Sequence, residues 1–65
     1  MVIKIWEARS SRGISLTELS RRTGISVSAL WNYENSRRDP GIKTLEKIAK
    51  ALNTSISNLY DSDYK

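Results

Sequence analysis

Residues 15–34 read Ser15-Leu16-Thr17-Glu18-Leu19-Ser20-Arg21-Arg22-Thr23-Gly24-Ile25-Ser26-Val27-Ser28-Ala29-Leu30-Trp31-Asn32-Tyr33-Glu34. Leu16, Leu19 and Thr23 recur at helical spacing, which predicts a helix over 16–23. Ser15 stands where an N-cap accepts first-turn amides, and Glu18 three residues on completes a capping-box pattern. Gly24 supplies the left-handed backbone position that ends this helix at little steric cost. Ser26 restarts the chain as a second N-cap, and Leu30 and Tyr33 give a helix over 27–34 an apolar face. Ser20 is small, as the close crossing of two helices requires. The stretch therefore specifies two short helices joined by a tight turn.

Working outward, residues 2–12 read as a first helix with Ile5, Ala8 and Arg12 on one face and Gly13 closing it. The β-branched Val2, Ile3 and Ile5 are also compatible with an extended start. Asn35 to Gly41 is a loop, punctuated by Pro40 and Gly41. Ile42, Leu45, Ile48, Ala49 and Leu52 then form a helical stripe with Lys43, Glu46, Lys47 and Lys50 outside it. Asp39 or Gly41 starts that helix and Asn53 ends it. Ser55 is positioned to cap a last short helix carrying Ile56 and Leu59. The expectation is a compact all-α, five-helix domain over residues 1–65, its core at about 2–60 and its polar tail at 61–65.

With 65 residues the chain is near the lower limit for folding without staples. It contains no cysteine and no histidine, which excludes disulfides and the usual zinc ligand sets. No apolar run approaches the roughly 20 residues of a membrane span. The net charge of +4 sits entirely in residues 1–38, where Lys4, Arg9, Arg12, Arg21, Arg22, Arg37 and Arg38 outnumber Glu7, Glu18 and Glu34. Such an excess suits a polyanionic partner, although a solvated surface explains it equally well.

Gly13-Ile14-Ser15-Leu16-Thr17-Glu18-Leu19-Ser20, Gly24-Ile25-Ser26, Leu30-Trp31-Asn32-Tyr33-Glu34, Pro40 and Thr44-Leu45-Glu46-Lys47-Ile48-Ala49-Lys50-Ala51-Leu52 together resemble the phage Cro/repressor family of helix-turn-helix regulators. Bacterial regulators of the xenobiotic-response-element type share the pattern. The resemblance runs from about Ile5 to Leu59. It implies a lambda-repressor-like fold that binds operator DNA, usually as a homodimer on two half-sites of a palindrome, in the cytoplasm of a bacterium. Two positions depart from the family's pattern: Leu16 stands where a glutamine often opens the second helix, and Trp31 stands where a polar residue is usual.

A recognition helix presents its N-terminal turn and one face to base edges. With Leu30 and Tyr33 inward, Val27, Ser28, Trp31 and Asn32 face the groove. The Asn32 amide suits bidentate pairing with adenine, Val27 suits a thymine methyl, and Trp31 suits sugar or a base methyl. The blander reading makes Asn32 a surface polar residue and Trp31 a partly buried core aromatic. Ser15 and Ser26, with the free amides beside them, are candidate phosphate contacts. Asn35, Arg37 and Arg38 resemble the family's backbone-gripping loop, and Lys43 in the next helix reaches towards the same strand. Arg21 and Arg22 read equally as solvated charges. The resemblance also implies an ion pair between Arg9 and Glu34, whose alternative is two independent surface charges.

No catalytic residue, cofactor site or metal site is read from this sequence, and no small-molecule ligand is implied. The acidic residues form no recognisable pair, and Gly13, Gly24 and Gly41 are too far apart to cradle a phosphate. Double-stranded DNA is the expected partner, bound by a dimer that forms before or upon DNA binding. The rival is a protein-interaction module, antitoxin-like, with Val2, Ile3 and Trp6 as its anchor patch.

Overall fold

A computed structural model describes all 65 residues, in the order β1 (Val2–Ile3), α1 (Ile5–Ser10), α2 (Leu16–Thr23), α3 (Val27–Glu34), α4 (Ile42–Leu52), a 3-10 turn (Ile56–Asn58) and β2 (Tyr60–Asp61). One hydrophobic cluster unites them: Ile5 and Ala8 of α1, Leu19 of α2, Leu30 and Tyr33 of α3, Leu45, Ile48, Ala49 and Leu52 of α4, and Leu59. Helix α2 packs against both α3 and α4.

The three central helices have the boundaries their periodicity predicts. Ser15 Oγ accepts from the Glu18 amide at 3.0 Å, so the first half of the capping box forms. The second half does not. The Glu18 carboxylate turns to Arg21 Nη2 (2.6 Å) and Arg22 Nε (2.8 Å) instead of returning to Ser15. In the turn, Gly24 takes φ 75° and donates to Ser20 O at 2.8 Å. Thr23 Oγ1 donates to Leu19 O at 2.8 Å and accepts from the Ile25 amide at 3.2 Å. One hydroxyl thereby serves both sides of the corner.

The ends of the chain overturn the five-helix expectation: four α-helices are joined by a two-stranded antiparallel sheet. Val2 pairs with Asp61 and Ile3 with Tyr60, and the Lys4 amide donates to Leu59 O at 2.8 Å. The β-branched Val2 and Ile3 thus extend, letting Ile3 pack on the core while Val2 points to solvent. Helix α1 starts only at Ile5. Its regular turns end at Ser10, and Gly13 closes it as expected: at φ 66° its amide donates to Ser10 O and the Ile14 amide to Arg9 O, a Schellman turn. Arg12 consequently does not share the buried face; it is exposed and its guanidinium caps Ala8 O at 2.7 Å.

At the other end, the stretch after Ser55 makes one 3-10 turn rather than an α-helix, because β2 must begin at Tyr60 to reach β1. Ser55 caps nothing; its hydroxyl lies 3.1 Å from that of Ser57. The tail expected at 61–65 is tethered, since Asp61 belongs to β2 and Lys65 Nζ donates to Tyr60 O at 2.8 Å. Ile42 is 65% exposed and stands outside the apolar stripe of α4, which begins at Leu45.

Candidate nucleic-acid interface

Helix α3 is anchored by two buried side chains and presents one face outward. Leu30 is fully buried and Tyr33 nearly so, which fixes the rotation of the helix about its axis. A residue every 100° then sends Val27, Ser28 and Trp31 outward, with Asn32 half-buried at the edge of the same face. Val27 is 41% and Trp31 44% exposed, large values for apolar side chains. Trp31 is therefore not a core aromatic.

At the start of α3, Ser26 Oγ accepts from the Ala29 amide at 3.1 Å, while its hydroxyl proton stays free to donate. The Val27 and Ser28 amides find no partner in the chain, which leaves the positive end of the helix open. Ser15 and the Leu16 and Thr17 amides repeat the arrangement on α2. Gly41 has no side chain to cap α4, and the Ile42, Lys43 and Thr44 amides are likewise free.

The far end of α3 closes by a second Schellman turn, here without glycine. Ser36 adopts the left-handed conformation (φ 57°), its amide donates to Tyr33 O at 3.3 Å, and the Arg37 amide donates to Asn32 O at 2.9 Å. Asn35 Nδ2 donates to Trp31 O at 2.8 Å, so part of this amide serves the helix end. Arg37 is carried back over the helix, its guanidinium carbon 5.2 Å from the centre of the Trp31 ring. Arg38 lies 6.0 Å from the Tyr33 ring. Arg37, Arg38 and Lys43 are all exposed and none meets a carboxylate. Arg21 and Arg22 differ, because both bind Glu18, and Arg22 Nη1 also donates to Ala51 O at 3.3 Å.

Beneath this surface Arg9 and Glu34 form a two-pronged ion pair. Nε donates to Oε2 at 2.7 Å and Nη2 to Oε1 at 3.0 Å, while Nη1 reaches Ile14 O at 3.3 Å. The side chains are only 14% and 5% exposed. The guanidinium is raised above its ordinary pKa by the Glu34 hydrogen bonds, which outweigh the opposing effect of burial. The pair ties α1 to the last residue of α3.

Sequence reasoning missed two features here. Ser36 carries no glycine to announce a left-handed residue, and the Trp31–Arg37 contact joins a helix to a loop whose path depends on that residue. The only available signal was the pairing of an aromatic on α3 with an arginine just beyond its end.

A helix-turn-helix family model matches residues 7–59. The chain is 33% identical over 63 residues to the HTH-type transcriptional regulator SinR of Bacillus subtilis (strain 168), covering 95% of this chain and 57% of SinR. It is 35% identical over 57 residues to SinR of Bacillus licheniformis, covering 86% of this chain and 51% of that protein. With the HTH-type transcriptional regulator SutR of Escherichia coli (strain K12) it shares 39% identity over 51 residues, 78% of this chain and 29% of SutR. The chain thus spans about half the length of the two SinR proteins and less of SutR. The paired helices α2 and α3, their capped corner and these matches place the chain in the Cro/repressor-type helix-turn-helix family.

Proposed function

We propose that this chain binds double-stranded DNA sequence-specifically and regulates transcription, repressing by occupying an operator. The observation that carries this reading is the face of α3: three outward side chains with Asn32 at their edge, between an open amide end and three unpaired cations. Val27, Ser28, Trp31 and Asn32 contact base edges, and Asn32 carries most of the discrimination through its amide. Ser15, Ser26, Asn35, Arg38 and Lys43 grip phosphates on either side, where charge gives affinity without sequence preference. Arg37 belongs to the same basic loop. The protein acts as a homodimer on a palindrome with half-sites one DNA turn apart, about 34 Å. The family placement supports a cytoplasmic, nucleoid-bound location.

Selection of bound duplexes from a random pool tests this directly, and should return a palindrome. Asn32→Ala should relax preference at one position per half-site and weaken the cognate site by about 1–3 kcal/mol. Unchanged preference at every position in the variant would remove Asn32 from the interface. A second reading has its own observation: Val2 and Trp6 are 59% and 56% exposed, as is Met1 at 67%, and such apolar side chains suit a protein partner, whereas Ile3, expected among them, packs against the core. Affinity that barely changes with salt would favour it over DNA.

A further inference from the structure

We infer that Arg37 is a base-reading residue, held over the Trp31 ring and poised to recognise guanine, rather than one of the phosphate-gripping residues of the loop. The inference rests on the DNA-binding reading and sharpens it. The Schellman turn at Ser36 reverses the chain so that Arg37 lies over the last turns of α3 instead of leading away from them. Its guanidinium sits 5.2 Å from the Trp31 ring centre, and Trp31 belongs to the outward face with Val27, Ser28 and Asn32.

Arg37 makes no side-chain hydrogen bond and no ion pair within the chain, so all five of its N–H donors are uncommitted. An indole attracts a cation over its face without consuming the cation's N–H donors, so those of Arg37 stay free for a ligand. A phosphate needs nearby positive charge and little else. Guanine N7 and O6, by contrast, need a planar fork held in one orientation, which an aromatic platform supplies. Arg38 lies against the largely buried Tyr33 ring, has no such exposed platform, and keeps the backbone role.

Selection from a random duplex pool with the full chain, its Arg37→Ala and Arg37→Lys variants, and Trp31→Leu decides the matter, with thermal melts confirming that each is folded. The parent should select a guanine that Arg37→Ala no longer selects, with preference falling about 5- to 150-fold at that position. Arg37→Lys keeps the charge and loses the fork, so it should retain only part of that preference. Trp31→Leu should weaken that preference as well, by releasing the fork from its platform. If Arg37→Ala keeps the guanine or weakens all sequences evenly, Arg37 is a phosphate contact and the inference falls while DNA binding stands; if Arg37→Lys alone keeps the guanine in full, the fork on its indole platform is not what reads the base. If the parent enriches no sequence, both fall together.

Discussion

Replacing Arg9 by Met would strand the Glu34 carboxylate where it is 5% exposed, and that is the perturbation from which most can be learned. An exposed ion pair contributes about 0–1 kcal/mol, whereas removing one partner of a buried pair costs about 3–5 kcal/mol. Arg9 retains 14% exposure, so water can enter once its side chain is shortened, and the expected loss lies lower, about 2–4 kcal/mol. A 65-residue chain has roughly 3–10 kcal/mol in total, so the variant should be visibly less stable in urea. Far-UV circular dichroism during urea titration reads this as a lower midpoint at unchanged slope. The double variant Arg9→Met/Glu34→Leu, which leaves no buried charge, should recover to within about 1 kcal/mol of the parent. Because Arg9 is raised, its titration contributes fully below its unfolded pKa and is lost only as the pH climbs through the folded one. No slope from Arg9 is therefore expected between about pH 5 and 9. A loss under about 0.5 kcal/mol for Arg9→Met would show that the pair behaves as a solvated one and that α1 does not hold α3 in place.

Two further predictions concern local features. Hydrogen bonds from Arg21, and then from Arg22, lower the Glu18 carboxyl from 4.5 to about 2, so its contribution is complete above its unfolded pKa and disappears as the pH falls through about 2. A carbon-13 titration should find that midpoint and see it rise in Arg21→Ala; a midpoint near the ordinary carboxylate value in the parent would dismiss the pairing. Ser36→Gly should stabilise the fold by about 0.5–1 kcal/mol, because glycine escapes the strain at φ 57° while gaining some freedom in the unfolded chain. The melting temperature should rise by about 4–7 °C, and a fall would mean that Ser36 makes up for its strain in some other way.

The boundaries of α2, α3 and α4 were legible because an apolar stripe runs through each and start or stop residues stand beside it, although the Ser36 turn that ends α3 gave no such signal. Ser15, Gly24, Ser26 and Asn53 act on backbone groups a few positions away, and local chemistry is what a sequence displays. The sheet was not legible for the opposite reason. Val2 and Ile3 meet Asp61 and Tyr60 from the other end of the chain, and two residues are too few to show a period. The outward face of α3 could be read because Leu30 and Tyr33 fix the helix rotation, and every other direction follows from the 3.6-residue repeat. The position of Arg37 could not, since it follows from one left-handed serine and from the indole that receives it.

These two kinds of feature bear on one mechanical problem. A helix that leaves one face open obtains less stability from packing, and α3 buries only Leu30 and Tyr33, with Ala29 partly packed on the core and Glu34 held by Arg9. Side chains that read bases nevertheless have to be held to within a fraction of an ångström. The fold meets this by fixing the ends of α3 instead of its face. Ser26 and the Thr23–Gly24 corner hold the start, while Arg9 and the Ser36 turn hold the finish. The β1–β2 clasp brings the chain termini together beside Ile5 and Leu59, closing the core there without using α3. Damage to either anchor should therefore reduce sequence discrimination before it abolishes affinity for DNA, since charge survives a loosened helix and register does not. Comparing cognate with random duplexes for Arg9→Met, under conditions where it remains folded, would show discrimination falling more than total binding if this division of labour is right, and an equal fall in both if it is wrong.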